Sequence, residues 1–147
     1  REASQWMIAA PEVLACTRSV ASALSALRRT KETVLPVVDN EGRFAGLVSS
    51  LRLAELTQEG GSLDAPVSDL PLIDEAVAAS APPSEVLGAL RSTGLQALPV
   101  LDEERRVVGW VSERDLVDRM YRDQRRAIAA RTQTSWGSRM QDRRRSH

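Results

Sequence analysis

The heptapeptide Gly109-Trp110-Val111-Ser112-Glu113-Arg114-Asp115 gathers residue types that can hold an anionic, hydroxyl-bearing molecule. A serine ends an apolar run and a carboxylate follows three residues later. If a helix starts at the serine, its free N–H groups and its dipole attract a phosphate there. Asp115, one turn in, offers two acceptor oxygens to a vicinal diol. Arg114 adds a guanidinium for phosphate charge, and Gly109 lets backbone or ligand come close. The same residues have a plainer use. Ser112-x-x-Asp115 resembles a capping box, which fixes a helix end without any ligand. Both readings stand, because cap and site share one geometry.

A near-copy lies 63 residues upstream: Gly46-Leu47-Val48-Ser49-Ser50-Leu51-Arg52. It keeps the glycine and the capping Ser49 but ends in Arg52. A guanidinium only donates, so it cannot accept from a diol. Either Arg52 holds a polyphosphate or fills a vacant cleft, or it is an ordinary exposed helix residue at a degenerate site, the reading the sequence favours. Other chemistries lack their residues. One Cys, and one His at position 147, make no zinc site of normal composition and no Ser/His/Asp set. There is no GxxxxGK[ST] loop. The expectation is no catalytic residue, no metal, no required cofactor and no enzyme.

The elements that must position these phrases are themselves duplicated. Ser19–Leu56 aligns without a gap on Pro82–Arg119, with Leu35/Leu98, Pro36/Pro99, Val37/Val100, Asp39/Asp102 and Arg43/Arg106 identical. Each copy reads as β-α-β-β-α. A short apolar segment (Val13–Cys16; Ala76–Ala79) precedes a helical pattern, in which Val20, Ala23, Leu24 and Leu27, or Val86, Leu87 and Leu90, share a face. Pro82 and Pro83 suit the start of the second helix. "VLPVVD" and "ALPVLD" are short buried strands, each Asp opens a turn, and a second strand closes an antiparallel hairpin. The expected fold class is α+β (α/β): two such repeats packed with pseudo-twofold symmetry, plus a C-terminal helical extension. A unit of about 60 residues buries too little surface to stand comfortably alone, hence the packing. The first repeat spans 7–57 and the second 66–120. Residues 58–71, with two Gly and two Pro, form a linker, and 121–147 form a basic helix and tail. The last helix is expected to run to Arg131, with a loose end beyond.

The chain has equal numbers of Lys+Arg and Asp+Glu, 20 each, but not evenly spread. Residues 119–147 hold nine Arg against two Asp, which leaves an acidic body before them. The tail can attract the body or face an anionic partner such as lipid. The arginines at 122, 125 and 126 are read first as a solvated helix face, and nucleic acid is the disfavoured partner. No apolar run reaches membrane-spanning length. Trp110 is expected to pack against a helix or a dimer partner rather than stack on a base. Trp136, in a polar stretch, suggests docking. A single Cys16 is compatible with a reducing compartment and reads as a small buried hydrophobe.

The paired β-α-β-β-α units, each with the Pro-Val…Asp…Gly…Ser spacing, resemble the cystathionine β-synthase (CBS) domain, which occurs in tandem as Bateman modules. The resemblance covers roughly residues 7–120. It implies clefts between the copies that take AMP, ADP, ATP or S-adenosylmethionine as a regulatory ligand, a homodimer, and control of an attached effector. The family's ligand motif is Gly, two apolar residues, Thr or Ser, any two residues, then Asp. Gly109, Ser112, Arg114 and Asp115 satisfy it in the second copy, with Asp115 on the ribose. The base would meet Cys16, Thr17, Thr33 and Val34. In the first copy Ser49 and Arg52 mark a second, degenerate cleft. Among parents the sequence looks most like the cytosolic tail of bacterial chloride channel/antiporter proteins, with CBS-bearing intramembrane metalloproteases as runner-up. That places it in the cytoplasm at the inner membrane face. A ligand-free structural dimerisation module is the rival reading.

Overall fold

The computed structural model describes the backbone of residues 2–145 and the side chains of residues 2–132. The chain forms two compact units, residues 1–113 and 114–147.

In the first unit, strand β1 (Leu14–Ala15) leads to helix α1 (Val20–Thr30), the hairpin β2 (Val34–Val38) and β3 (Phe44–Ser49), and helix α2 (Ser50–Gln58). The series repeats with β4 (Val77–Ala78), α3 (Pro83–Thr93), β5 (Ala97–Leu101) and β6 (Val107–Ser112). The mixed α+β class is as expected. The strands form two separate three-stranded sheets, ordered β1-β2-β3 and β4-β5-β6, each with one parallel and one antiparallel pairing. Their registers coincide: Val34 faces Ser49 as Ala97 faces Ser112. A bulge falls after Val37 in one copy and after Val100 in the other. A bulge is a defined local conformation, so its recurrence places the duplication at backbone level.

Local chemistry accounts for the boundaries. Ser19 accepts the Ser22 N–H at 3.1 Å and so caps α1. Pro82 and Pro83 start α3, where a missing N–H costs nothing. α3 ends on Gly94 in the left-handed region at φ 69°, whereas α1 ends on Lys31 at φ 60°, where a side chain is strained. At the hairpin tips, Asp39 Oδ1 accepts the N–H groups of Glu41 and Arg43, and Asp102 Oδ1 those of Glu104 and Arg106. The Arg43 amide is the chief reason the Asp39 carboxyl is held below the usual carboxylate range.

Leu14, Val20, Ala23, Leu27, Leu35, Val37, Val48 and Leu53 form the core of the first repeat. Val67 joins them, although it lies at the opening of the second repeat. The reason is a reciprocal exchange. The 3₁₀ turn Val67–Asp69 docks on the first repeat, with Val67 N–H donating to Arg18 O (2.8 Å) and Ser68 N–H to Cys16 O (3.1 Å). The 3₁₀ turn Ala3–Gln5 docks on the second, with Ala3 N–H donating to Ala81 O (2.8 Å) and Ser4 N–H to Ala79 O (3.0 Å). The acceptors in each pair are 63 residues apart. Residues 58–71, read as a linker, are therefore anchored over their second half, and Leu63 O and Ala65 O also take N–H groups of Ala21 and Val20. The hairpin tips meet as well. Arg43 bridges Arg106, Phe44 N–H donates to Arg105 O at 2.8 Å, and the Arg105 guanidinium lies 5.9 Å from the Phe44 ring centre.

Helix α4 begins at Glu113, the last residue of the first unit, and runs through the second unit to Arg145. The expected loose end beyond Arg131 is thus helical: there is no proline after residue 99 to stop it. Trp136 lies outside the residues whose side chains are described. Val117, Met120, Tyr121 and Ile128 are exposed on α4, as are Arg122, Arg125 and Arg126. No described helix is long and apolar enough to cross a membrane.

Candidate functional site

The two glycines of the repeated phrase are used by the chain itself. Gly46 has φ 140°, and a Cβ there would lie 2.5 Å from Leu72 Cβ and 3.3 Å from Ile73 O. A Cβ on Gly109 would collide with the Met7 side chain, whose Cβ would be 2.8 Å away. Beside each glycine the exchanged lead-in forms an antiparallel bridge: Leu47 with Ile73, and Trp110 with Ile8, every N···O distance between 2.8 and 2.9 Å. Of the two roles foreseen for Gly109, close approach of backbone or ligand, the protein's own segment fills the first. Trp110 is fully buried, so it offers no surface for a base or a dimer partner, and its Nε1–H has no partner among the described residues.

In the first repeat the serine is a cap. Ser49 Oγ accepts the Arg52 N–H at 3.1 Å, and the hydroxyl is nearly buried, at 8% exposure. Ser49 and Arg52 line a cavity of about 220 Å³ between α2 and the lead-in segment Leu70–Leu72, which also has Leu56, Glu55 and Glu59 on its wall. Ser49 and Arg52 are the residues read as a second, degenerate cleft, but its Leu70–Leu72 wall was not foreseen. Its signal is faint: Ser4 matches Ser68 at a separation of 64 and Met7-Ile8 matches Leu72-Ile73 at 65, whereas the bodies match at 63. An ungapped comparison therefore loses the lead-ins.

The four residues assigned to the base do not form one cluster. Val34 pairs with Ser49 and Thr33 O accepts the Ser50 N–H at 2.9 Å, so both sit at the α2 end of β2. Cys16 N–H donates to Val38 O, at the other end of that strand, about 13 Å away at 3.3 Å per residue. Cys16 is half-buried, its Sγ 3.6 Å from Asn40 Oδ1, and Thr17 is exposed. Gly109 and Ser112 lie on β6 opposite Val100 and Ala97. Arg114 and Asp115 lie in the first turn of α4, Arg114 exposed and Asp115 half-buried.

With the doubled fold in view, its relatives can be read. The family model for the CBS domain matches residues 3–58 and again 67–122, together most of the sequence. The chain belongs to the CBS domain family. Both matches begin at the exchanged 3₁₀ turns. A CBS domain pair/ACT domain protein from Thermotoga maritima superposes with a TM-score of 0.71 at 25% identity, covering 84% of this chain and 98% of that one. A CBS domain pair crystallised with 5′-methylthioadenosine and S-adenosyl-L-methionine gives 0.69 at 20% identity, covering 84% and 98%. A CBS domain protein from Pyrobaculum aerophilum complexed with AMP gives 0.70 at 18%, covering 79% and 90%. By sequence, the chain is similar to inosine-5′-monophosphate dehydrogenase of Mycobacterium leprae, 31% identical over 83 residues. That match takes in 56% of this chain but only 15% of the dehydrogenase.

Proposed function

We propose that this CBS pair is a ligand-sensing regulatory module that binds an adenosine-containing molecule (AMP, ADP, ATP or S-adenosylmethionine) and controls an attached effector. A CBS pair is a regulatory rather than a catalytic module. The observation that carries the reading is the complete motif Gly109…Ser112…Asp115 in one copy of a fold whose solved relatives hold AMP or S-adenosylmethionine. Asp115 accepts from the ribose, Ser112 and Arg114 take the phosphate or the amino-acid end, and either Thr33 and Val34 or, at the other end of β2, Cys16 and Thr17 serve the base. The ligand acts by preferring one arrangement of the module over another.

The finer reading places a homodimer at the inner membrane face, in the cytoplasm, attached to a channel or transporter of the chloride channel/antiporter type. The arginines of α4 then meet anionic lipid. The likeness to inosine-5′-monophosphate dehydrogenase favours a second effector class, an attached enzyme.

A thermal-shift panel of AMP, ADP, ATP and S-adenosylmethionine tests the module. At a hundredfold excess over Kd, one of them raises stability by about 2.7 kcal/mol, and Asp115→Ala abolishes the shift. A flat panel rejects the ligand. One observation favours that outcome, a ligand-free dimerisation module: Ser49 and both motif glycines already have structural work. In that case nucleotides leave the melt unchanged while dilution lowers it.

A further inference from the structure

We propose that the Arg105 side chain is a latch between the two repeats, a positioning residue that holds the hairpin of the second repeat, and with it Ser112 at the far end of β6, against the first. Backbone strain points to it. Arg105 sits in the left-handed region at φ 62°, at the position where the first hairpin has Gly42 at φ 80°. Glycine adopts that conformation freely, whereas an arginine is strained there. A turn that only has to reverse the chain needs nothing more than the glycine. Strain of this kind persists where the surroundings over-determine it.

The guanidinium meets those surroundings. It lies 5.9 Å from the centre of the Phe44 ring, and its Nη2 is 3.5 Å from Phe44 O and 3.7 Å from Asp74 Oδ1. One planar cation thus joins three elements: the tip of the second hairpin, the start of β3, and the lead-in to the second repeat. Asp74 directly follows Ile73, which exchanges both backbone hydrogen bonds with Leu47 of β3. Arg106 reaches in the same direction. Its Nη1 donates to Glu41 O at 3.2 Å and would lie 2.8 Å from a Cβ on Gly42. The side-chain grip is one-sided. Arg43, the counterpart of Arg106, turns back to Glu41 of its own hairpin at 3.6 Å, and Gly42, the counterpart of Arg105, has no side chain to reach with. Arg105 and Asp74 are 56% and 82% exposed, so water competes and the pair is weak enough to open. Ser112 lies at the other end of β6, about 17 Å from Val107 at ~3.4 Å per residue. A paired strand moves as one piece, so the latch at its tip sets where Ser112 stands relative to the first repeat.

Control of Ser112 rests on the nucleotide reading above; the latch itself does not. Amide exchange of the full chain, followed residue by residue by NMR, tests the latch. Phe44, Leu47 and Ile73 each donate a backbone hydrogen bond from one repeat to the other. In Arg105→Gly, which frees the turn of strain, these three amides exchange at least about tenfold faster. The Asp39 and Asp102 amides, bonded within their own turns, keep their rates. Arg105→Asn, which suits a left-handed turn without glycine's freedom, behaves the same way. Asp74→Asn alone quickens the three amides about threefold and adds nothing to Arg105→Gly, because the carboxylate acts through the guanidinium. In calorimetric titration, AMP binds Arg105→Gly about fivefold more weakly than the native chain. Unchanged rates at Phe44, Leu47 and Ile73 overturn the latch whatever AMP does. Faster exchange with AMP held equally by both proteins overturns its control of Ser112. Silence of the native chain toward AMP removes the nucleotide reading alone, and the exchange rates still decide the latch.

Discussion

At the scale of single residues, the repeated glycines and one carboxylate carry the clearest consequences. Gly46 combines φ 140° with a neighbouring backbone and Leu72 Cβ that cannot swing away. Gly46→Ala should cost about 3 kcal/mol, lowering Tm by roughly 10 °C in a thermal melt. Gly109→Ala should cost less, because Met7 is a flexible side chain. Equal costs would contradict the exchanged packing. Glu12 bridges Arg18, at 2.9 Å, and Arg29. The Arg18 hydrogen bond is the main reason its carboxyl sits below the ordinary value of 4.5, with partial burial opposing and Arg29 adding to the effect. A lowered folded pKa means stability present at neutral pH and lost as Glu12 protonates. Glu12→Gln should therefore lower stability by about 1 kcal/mol at pH 7. That difference should shrink below pH 4.5 and vanish in stronger acid.

Elements are where the sequence was most and least readable. Periodicity, Pro82, Pro83 and the Asp-led turns announced α1, α3 and both hairpins, because each signal is local and its partner lies within a few residues. The lead-ins were not legible. Each turn pairs with a partner more than 45 residues away in sequence, and the changed separations hide their kinship. The site was half legible. The motif named Gly109, Ser112 and Asp115, but nothing local said that Met7 would fill the space beside Gly109 or that Leu70–Leu72 would wall a cavity against α2. Helix ends supply the element-scale prediction. Lys31 holds the left-handed position that Gly94 holds in the other copy. Lys31→Gly should stabilise by about 1 kcal/mol, a rise of about 3 °C in Tm, whereas Gly94→Lys should do the reverse.

On the scale of the whole molecule, the first unit is two repeats that each borrow their opening turn from the other. Removing residues 1–9 should therefore loosen the second repeat, on which they dock, and not the first, which they precede. Amide exchange should quicken at least about tenfold in β5 and β6 relative to β2 and β3. Duplication also supplies two chances at a ligand site, and Arg52 against Asp115 gives the copies different chemistry. The most direct measurement is a calorimetric titration of AMP into the full chain, with stoichiometry as the readout. The account predicts one AMP per chain, heat lost in Asp115→Ala and unchanged in Arg52→Gln. Two AMP per chain, or binding that survives Asp115→Ala, would contradict it.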